Sequence, residues 1–374
     1  MTDPRTTNLA KILVNYSTKV KQGDLVGVYA EPASTPLVQA VFKEVLHAGG
    51  HPYLFPWASM YLPGYDGVNS LFLNEASQEQ LLHEDVIARK VMAEFDAGIS
   101  IYSTDNTKSL SGVDPNRVQT RYRSMTEYLK IYRQRSADKS YRWVITMFPT
   151  NAYAQDAEMS LAEYEDFVYA ATFADQPDPL AEWQKFHDFQ QQLIDWLHGE
   201  EKLVLKGTNI DLQLSIAGRD FINADGEHNM PSGEIYTSPI EDSANGWVRF
   251  SYPAVFRGRE CEGVELTLKN GKVVKATAEK GEEYLNAILD TDEGARYLGE
   301  FAFGTNNGIQ RFTRNILFDE KIGGSIHMAV GSGFAEIGGQ NTSAVHWDFI
   351  CDMRDGGQAF VDGELFYEGG EFKV

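Results

Sequence analysis

Two of the chain's eight histidines stand where they could do chemistry. His346 and Asp348 lie two positions apart in Ser343-Ala344-Val345-His346-Trp347-Asp348. If residues 344–350 form a strand, both side chains point to one face, and Val345, Trp347 and Phe349 point to the other. An imidazole beside a carboxylate with apolar residues behind is half of a metal site. The same pair also makes an ordinary hydrogen bond inside a sheet, and spacing alone does not separate the two. His327 sits in Gly324-Ser325-Ile326-His327-Met328-Ala329-Val330-Gly331. Two acids have similarly apolar company. Glu234 lies between Gly233 and Ile235 in a segment bracketed by Pro231 and Pro239, and Glu300 lies in Tyr297-Leu298-Gly299-Glu300-Phe301-Ala302-Phe303-Gly304. A buried carboxylate is costly unless it is paired or holds a cation. Glu320, in Leu317-Phe318-Asp319-Glu320-Lys321, reads either as a donor or as a turn-surface acid paired with Lys321.

Glu234, Glu300, Glu320, His327, His346 and Asp348 make the inventory of a centre for two divalent cations, with several oxygen donors and a few imidazoles around an activated water. Zinc, cobalt or manganese fit such donors better than Cu(I) or an iron–sulfur cluster. Glu234 or Glu300 is the candidate to move the water's proton. Only two cysteines, Cys261 and Cys351, are present, too few for a thiolate metal site or a secreted disulfide scaffold. His83, His187 and His198 read as solvated residues of polar helices, His47 stands near a helix end and His51 begins a strand.

The elements that must position these groups fall into two textures. In the first half, helical periodicity over Leu9, Ile12, Leu13, Tyr16 and Val20 is followed by apolar runs at 25–29, 51–55, 97–102 and 143–148. Between the runs lie helix signals: Thr35-Pro36, capping boxes at Ser77-Gln80 and Ser160-Glu163, and Asp114-Pro115 opening a helix to about 135. Strands alternating with helices predict a mostly parallel sheet covered on both faces. No glycine-rich phosphate loop follows any of these strands. A helix over 180–198 ends at Gly199, and Glu200-Glu201-Lys202 marks the expected boundary between an α/β domain, 1–200, and a second domain, 201–374. There the alternation of Ile210, Leu212, Leu214 and Ile216 with polar residues, and the turns Asn270-Gly271 and Asp362-Gly363, predict antiparallel strands and hairpins. The expected fold is an α/β N-terminal domain plus a β-rich α+β metal-binding domain.

The chain has 374 residues and a net charge of −21. Such a surface repels phosphate backbones, so no nucleic-acid partner is expected. No apolar run reaches a membrane span's length, and Met1-Thr2-Asp3-Pro4-Arg5 opens no leader pattern, which makes the cytoplasm the expected location.

As an ordered set, Asn229-Met230-Pro231-Ser232-Gly233-Glu234, Leu298-Gly299-Glu300, Phe318-Asp319-Glu320-Lys321, Ile326-His327-Met328-Ala329-Val330-Gly331 and Gly338-Gly339-Gln340-Asn341-Thr342-Ser343-Ala344-Val345-His346-Trp347-Asp348 resemble the aminopeptidase T / aminopeptidase S (M29) family of metallo-exopeptidases over nearly the whole chain. The resemblance implies removal of the N-terminal residue from short peptides by a water activated by two metals. It also implies that the same six residues are the ligands, and that the protein is a homodimer. Two departures define a shorter branch. Phe334 stands where the family's longer branch has a tyrosine with a catalytic role, and only 19 positions separate His327 from His346. Tyr236, near Glu234, is a candidate replacement for that hydroxyl. The Phe334 departure also leaves open a hydrolase of another amide or ester, or a metal-binding protein that has lost peptidase activity.

Overall fold

The computed structural model describes residues 3–56 and 67–374. Met1 and Thr2 of the segment read for a leader lie outside the described residues. Among the described residues no helix is long and apolar enough to cross a membrane. The chain forms two compact units, one of Met1–Trp183 with Gly226–Pro231, the other of Gln184–Asp225 with Ser232–Val374. The helix Pro179–Leu197 runs across the first of these divisions.

The first unit is built on a five-stranded parallel sheet with the spatial order His51–Phe55, Leu25–Ala30, Ala97–Tyr102, Arg142–Met147, Asn229–Met230. Helices connect consecutive strands, as the alternation in the sequence requires. Both expected capping boxes form, at Ser77 with Gln80 and at Ser160 with Glu163. Two local expectations change. Thr35 lies inside its helix, Thr35–His47, and its hydroxyl donates to the Pro32 carbonyl instead of capping. The helix expected from 115 to about 135 is two, Pro115–Arg123 and Thr126–Ala137, and the Ser124 hydroxyl donates to the Arg121 carbonyl at the break.

The second unit packs two antiparallel sheets around one core. An eight-stranded sheet includes the predicted Ile210–Ser215 strand and both predicted hairpins, Glu265–Lys269 with Lys272–Thr277 and Gln358–Val361 with Glu364–Glu368. A five-stranded sheet has the order His346–Asp352, Ser325–Gly331, Leu298–Gly304, Glu234–Thr237, Ile222–Ala224. One face of this smaller sheet supplies Ile235, Phe301, Phe303, Ile326, Met328, Val330, Trp347 and Phe349 to the core, where they meet Leu203, Leu205, Leu212 and Leu266 of the larger sheet. Alternation then fixes what the other face carries.

Gly331 ends the strand Ser325–Gly331 at φ +98°, opposite His346 in the register. A Cβ there would lie 2.1 Å from the Val345 carbonyl oxygen, so only glycine lets the strand close against its neighbour. Gly331→Ala is expected to cost about 1–3 kcal/mol of stability. Urea unfolding measures this directly, and an unchanged midpoint would contradict it.

Candidate metal centre

The register of the smaller sheet assembles the site. Ala302 pairs with both Tyr236 and His327, Gly304 with Glu234, Glu300 with Ala329, Asp348 with Ala329 and His346 with Gly331. Residues directly opposite in an antiparallel pair share a face. Glu234, Glu300, His327, His346 and Asp348 therefore stand together on the face turned away from the core, interleaved with Ala302, Gly304, Ala329 and Gly331. These small residues leave room between the functional side chains. The register shifts between Leu298 and Glu300, and such an irregularity re-aims the side chain beyond it. Glu320 arrives separately, at the end of the short helix Ile316–Asp319. That turn is held by Asp319, which accepts from the Thr313 backbone N–H at 2.7 Å and from its hydroxyl at 2.8 Å.

All six predicted residues are brought together. Their donor atoms form three overlapping triads, each lying within 4.8 Å: Glu234, Glu300 and His327; Glu300, His346 and Asp348; Glu320, His327 and Asp348. Glu300 joins the first two, with Oε1 at 3.3 Å from His327 Nε2 and Oε2 at 3.2 Å from His346 Nε2. His327 Nε2 is also 3.4 Å from Glu234 Oε2, and His346 Nε2 is 3.5 Å from Asp348 Oδ1. Each imidazole is oriented from behind. His327 Nδ1 is 3.1 Å from the Glu320 carbonyl oxygen, and His346 Nδ1 is 2.9 Å from that of Ser332. A carbonyl only accepts, so Nδ1 carries the proton in both rings. In the neutral ring Nε2 is then left as a lone-pair donor toward the cluster.

The electrostatics call for positive charge. Burial raises the Glu234 carboxyl above its ordinary range against the pull of Lys321, and burial raises Glu320 likewise. Burial also opposes ionisation of Glu300, but the hydrogen bonds from His327 and His346 outweigh it and hold that carboxyl low. The imidazoles respond in kind. Burial disfavours their charged forms, yet the hydrogen bond to Glu300 raises His327 to about 10, and those to Asp348 and Glu300 raise His346 to about 11. Even so, Glu234 Oε2 and Asp348 Oδ1 are buried with no well-formed hydrogen bond, only the long approaches of imidazole nitrogens at 3.4 and 3.5 Å. Orphaned carboxylate oxygens aimed among imidazole nitrogens are what a divalent cation would satisfy, so the residues present fit such an ion.

Two side chains exceed the sequence reading. Lys321 is fully buried, with Nζ 3.4 Å from Glu234 Oε1 and paired with Glu320. Glu320 is paired with Lys321 as one reading expected, but the pair is buried beside Glu234 and not on a surface turn. A lysine after an acid in a short polar run carries no sign of burial. His187, expected in solvent, has Nδ1 2.6 Å from the Asp225 carboxylate. Phe334 lies with its ring centroid 5.6 Å from that of His346 and 5.0 Å from that of Tyr236. The Tyr236 phenol shares the site face, and burial with the Glu234 charge holds it protonated well above its usual range.

Four acids and two imidazoles with their Nε2 atoms turned inward could hold a metal ion. The chain belongs to the thermophilic metalloprotease family M29, whose model matches residues 2–372. It is 27% identical to "Aminopeptidase 2" of Geobacillus stearothermophilus over 92% of this chain and 91% of that one. To "Aminopeptidase T" of Thermus thermophilus it is 29% identical over 72% of each chain. The solved structure of wild-type AmpT from Thermus thermophilus has the same fold, with a TM-score of 0.85 and 24% identity over 99% of both chains.

In metal-free protein, the folded imidazoles keep protons that the unfolded chain releases near pH 6.5. The folded state then binds more protons than the unfolded one, so stability falls as pH rises from about 7 toward the folded values of about 10 and 11. Thermal melts of chelator-treated protein between pH 7 and 10 should show a declining midpoint. A midpoint that climbs over this range would contradict the assigned charges.

Proposed function

We propose that Glu234, Glu300, Glu320, His327, His346 and Asp348 hold two divalent cations, zinc, cobalt or manganese, and that the protein is an aminopeptidase removing the N-terminal residue of short peptides. The convergence of all six donors carries this reading, and the relatives' names as aminopeptidases support the substrate class. Four carboxylates and the ammonium of Lys321 leave three negative charges around the neutral imidazoles. One dication would leave a negative charge uncancelled, whereas two together with one hydroxide would leave none. Such ions supply Lewis acidity for the scissile carbonyl and an acidified water.

The chain's own groups divide the remaining work. Glu300, with each oxygen against a different imidazole, would help to hold the ions through both donor groups that it joins. Glu234, whose burial favours its protonated form, is the carboxylate suited to take the water's proton and pass it to the leaving amine. The acidic cluster also attracts the substrate's free α-ammonium. The neutral Tyr236 hydroxyl is placed on the same face to donate toward the reacting carbonyl, where Phe334 cannot. A domain division near residue 200, a homodimeric assembly and a cytoplasmic location complete the reading.

Metal analysis of His346→Ala/Asp348→Ala should show loss of most bound metal, and unchanged stoichiometry would refute the ligand set. Glu234→Gln keeps an amide oxygen as donor. It is expected to retain most of the metal while kcat falls by about 10²–10⁴. A panel of aminoacyl anilides, dipeptides and small esters, assayed with added metal, tests the substrate class. Turnover of esters alone would overturn the peptidase reading, and bound metal without any turnover would leave only a binding role.

A further inference from the structure

We infer that Lys321 is a positioning residue that confines Glu234 and Glu320 to one oxygen each toward the cluster, and so sets the centre's preference for small transition-metal dications over calcium. The inference rests on the proposed metal centre and concerns a side chain outside the six donors.

Lys321 follows Glu320 directly and is fully buried. Its Nζ lies 3.4 Å from Glu234 Oε1 and is bonded to Glu320 Oε1. The other oxygen of Glu234, Oε2, faces His327 Nε2 at 3.4 Å and makes no well-formed hydrogen bond. The ammonium thus stands on one oxygen of each carboxylate, and in Glu234 the second oxygen faces the cluster. An ammonium has three donors and no acceptor, and a carboxylate oxygen that faces it keeps one lone pair instead of two, which weakens that oxygen as the second donor of a two-oxygen chelate. This matters because the ions differ in appetite. Calcium collects six to eight oxygens at long range and often takes both oxygens of a carboxylate, whereas zinc is content with about four or five donors, imidazole among them. A residue that weakens two oxygens of the available set penalises calcium more than zinc. Calcium is the relevant competitor, because a cluster with four carboxylates would otherwise suit it.

Lys321→Met replaces the ammonium with an apolar chain of similar reach. Losing one positive charge strengthens attraction for any dication, so the informative quantity is the ratio of zinc to calcium affinity, in which that common effect cancels. Titration calorimetry of the chelator-treated full chain with zinc and with calcium reads both. The expected result is a shift of the ratio toward calcium by about tenfold or more in Lys321→Met. Should that variant fail to fold, Lys321→Gln removes the charge while keeping a polar side chain, and carries the same expectation. An unchanged ratio, or equal changes for the two ions, overturns the inference. If the unaltered chain binds no zinc, the metal-centre reading itself falls, a different outcome from a wild-type centre whose selectivity ignores Lys321.

Discussion

Like charges held close in a dry place dominate this molecule's second unit. Glu234, Glu300, Glu320 and Asp348 share donor triads with two imidazoles, and Glu234 and Glu300 are almost wholly removed from solvent. In such surroundings the repulsion between carboxylates is many times what it would be in water. Each neighbouring feature answers that repulsion. Two imidazoles take up positive charge, a buried ammonium stands between two of the acids, and backbone carbonyls behind the rings turn the right nitrogen forward. The same demand is one that bound divalent cations would meet. A buried charge group of this kind is weak as a source of stability but strong as a specification of geometry.

The sheet that carries the cluster separates its two duties by face. Aromatic and aliphatic side chains turn inward and fill a core shared with the eight-stranded sheet. The outward face alternates functional residues with alanine and glycine. Strands suit a site of this kind because register sets the spacing of groups from four different chain segments, with no dependence on loop conformation. The one member of the cluster not on a strand, Glu320, is held by a tightly bonded turn through Asp319 and Thr313.

Much of this was legible in the sequence. The alternation around His346 and Asp348 reads correctly because a two-residue period leaves little freedom once Val345, Trp347 and Phe349 are apolar. The paired capping residues at Ser77 and Ser160 and the turns at Asn270 and Asp362 are equally local, so they hold. Convergence of six side chains from separate segments was not legible from spacing, since strand order is set by tertiary packing. The resemblance to a family of metallo-exopeptidases supplied that expectation. Lys321 escaped because burial of a cation depends wholly on partners distant in sequence, above all Glu234. The break at Ser124 escaped because both helices continue the same polar texture.

The division of faces has an evolutionary corollary. A one-residue slip of the strand His346–Asp352 against its neighbour would exchange His346 and Asp348 with Trp347 and Phe349, expelling two aromatic rings from the core as it withdrew two members of the cluster. Damage to chemistry and damage to folding would then arrive together. Selection for a foldable chain is thereby also selection for the register of the cluster, and drift in this strand is channelled into substitutions that preserve its parity.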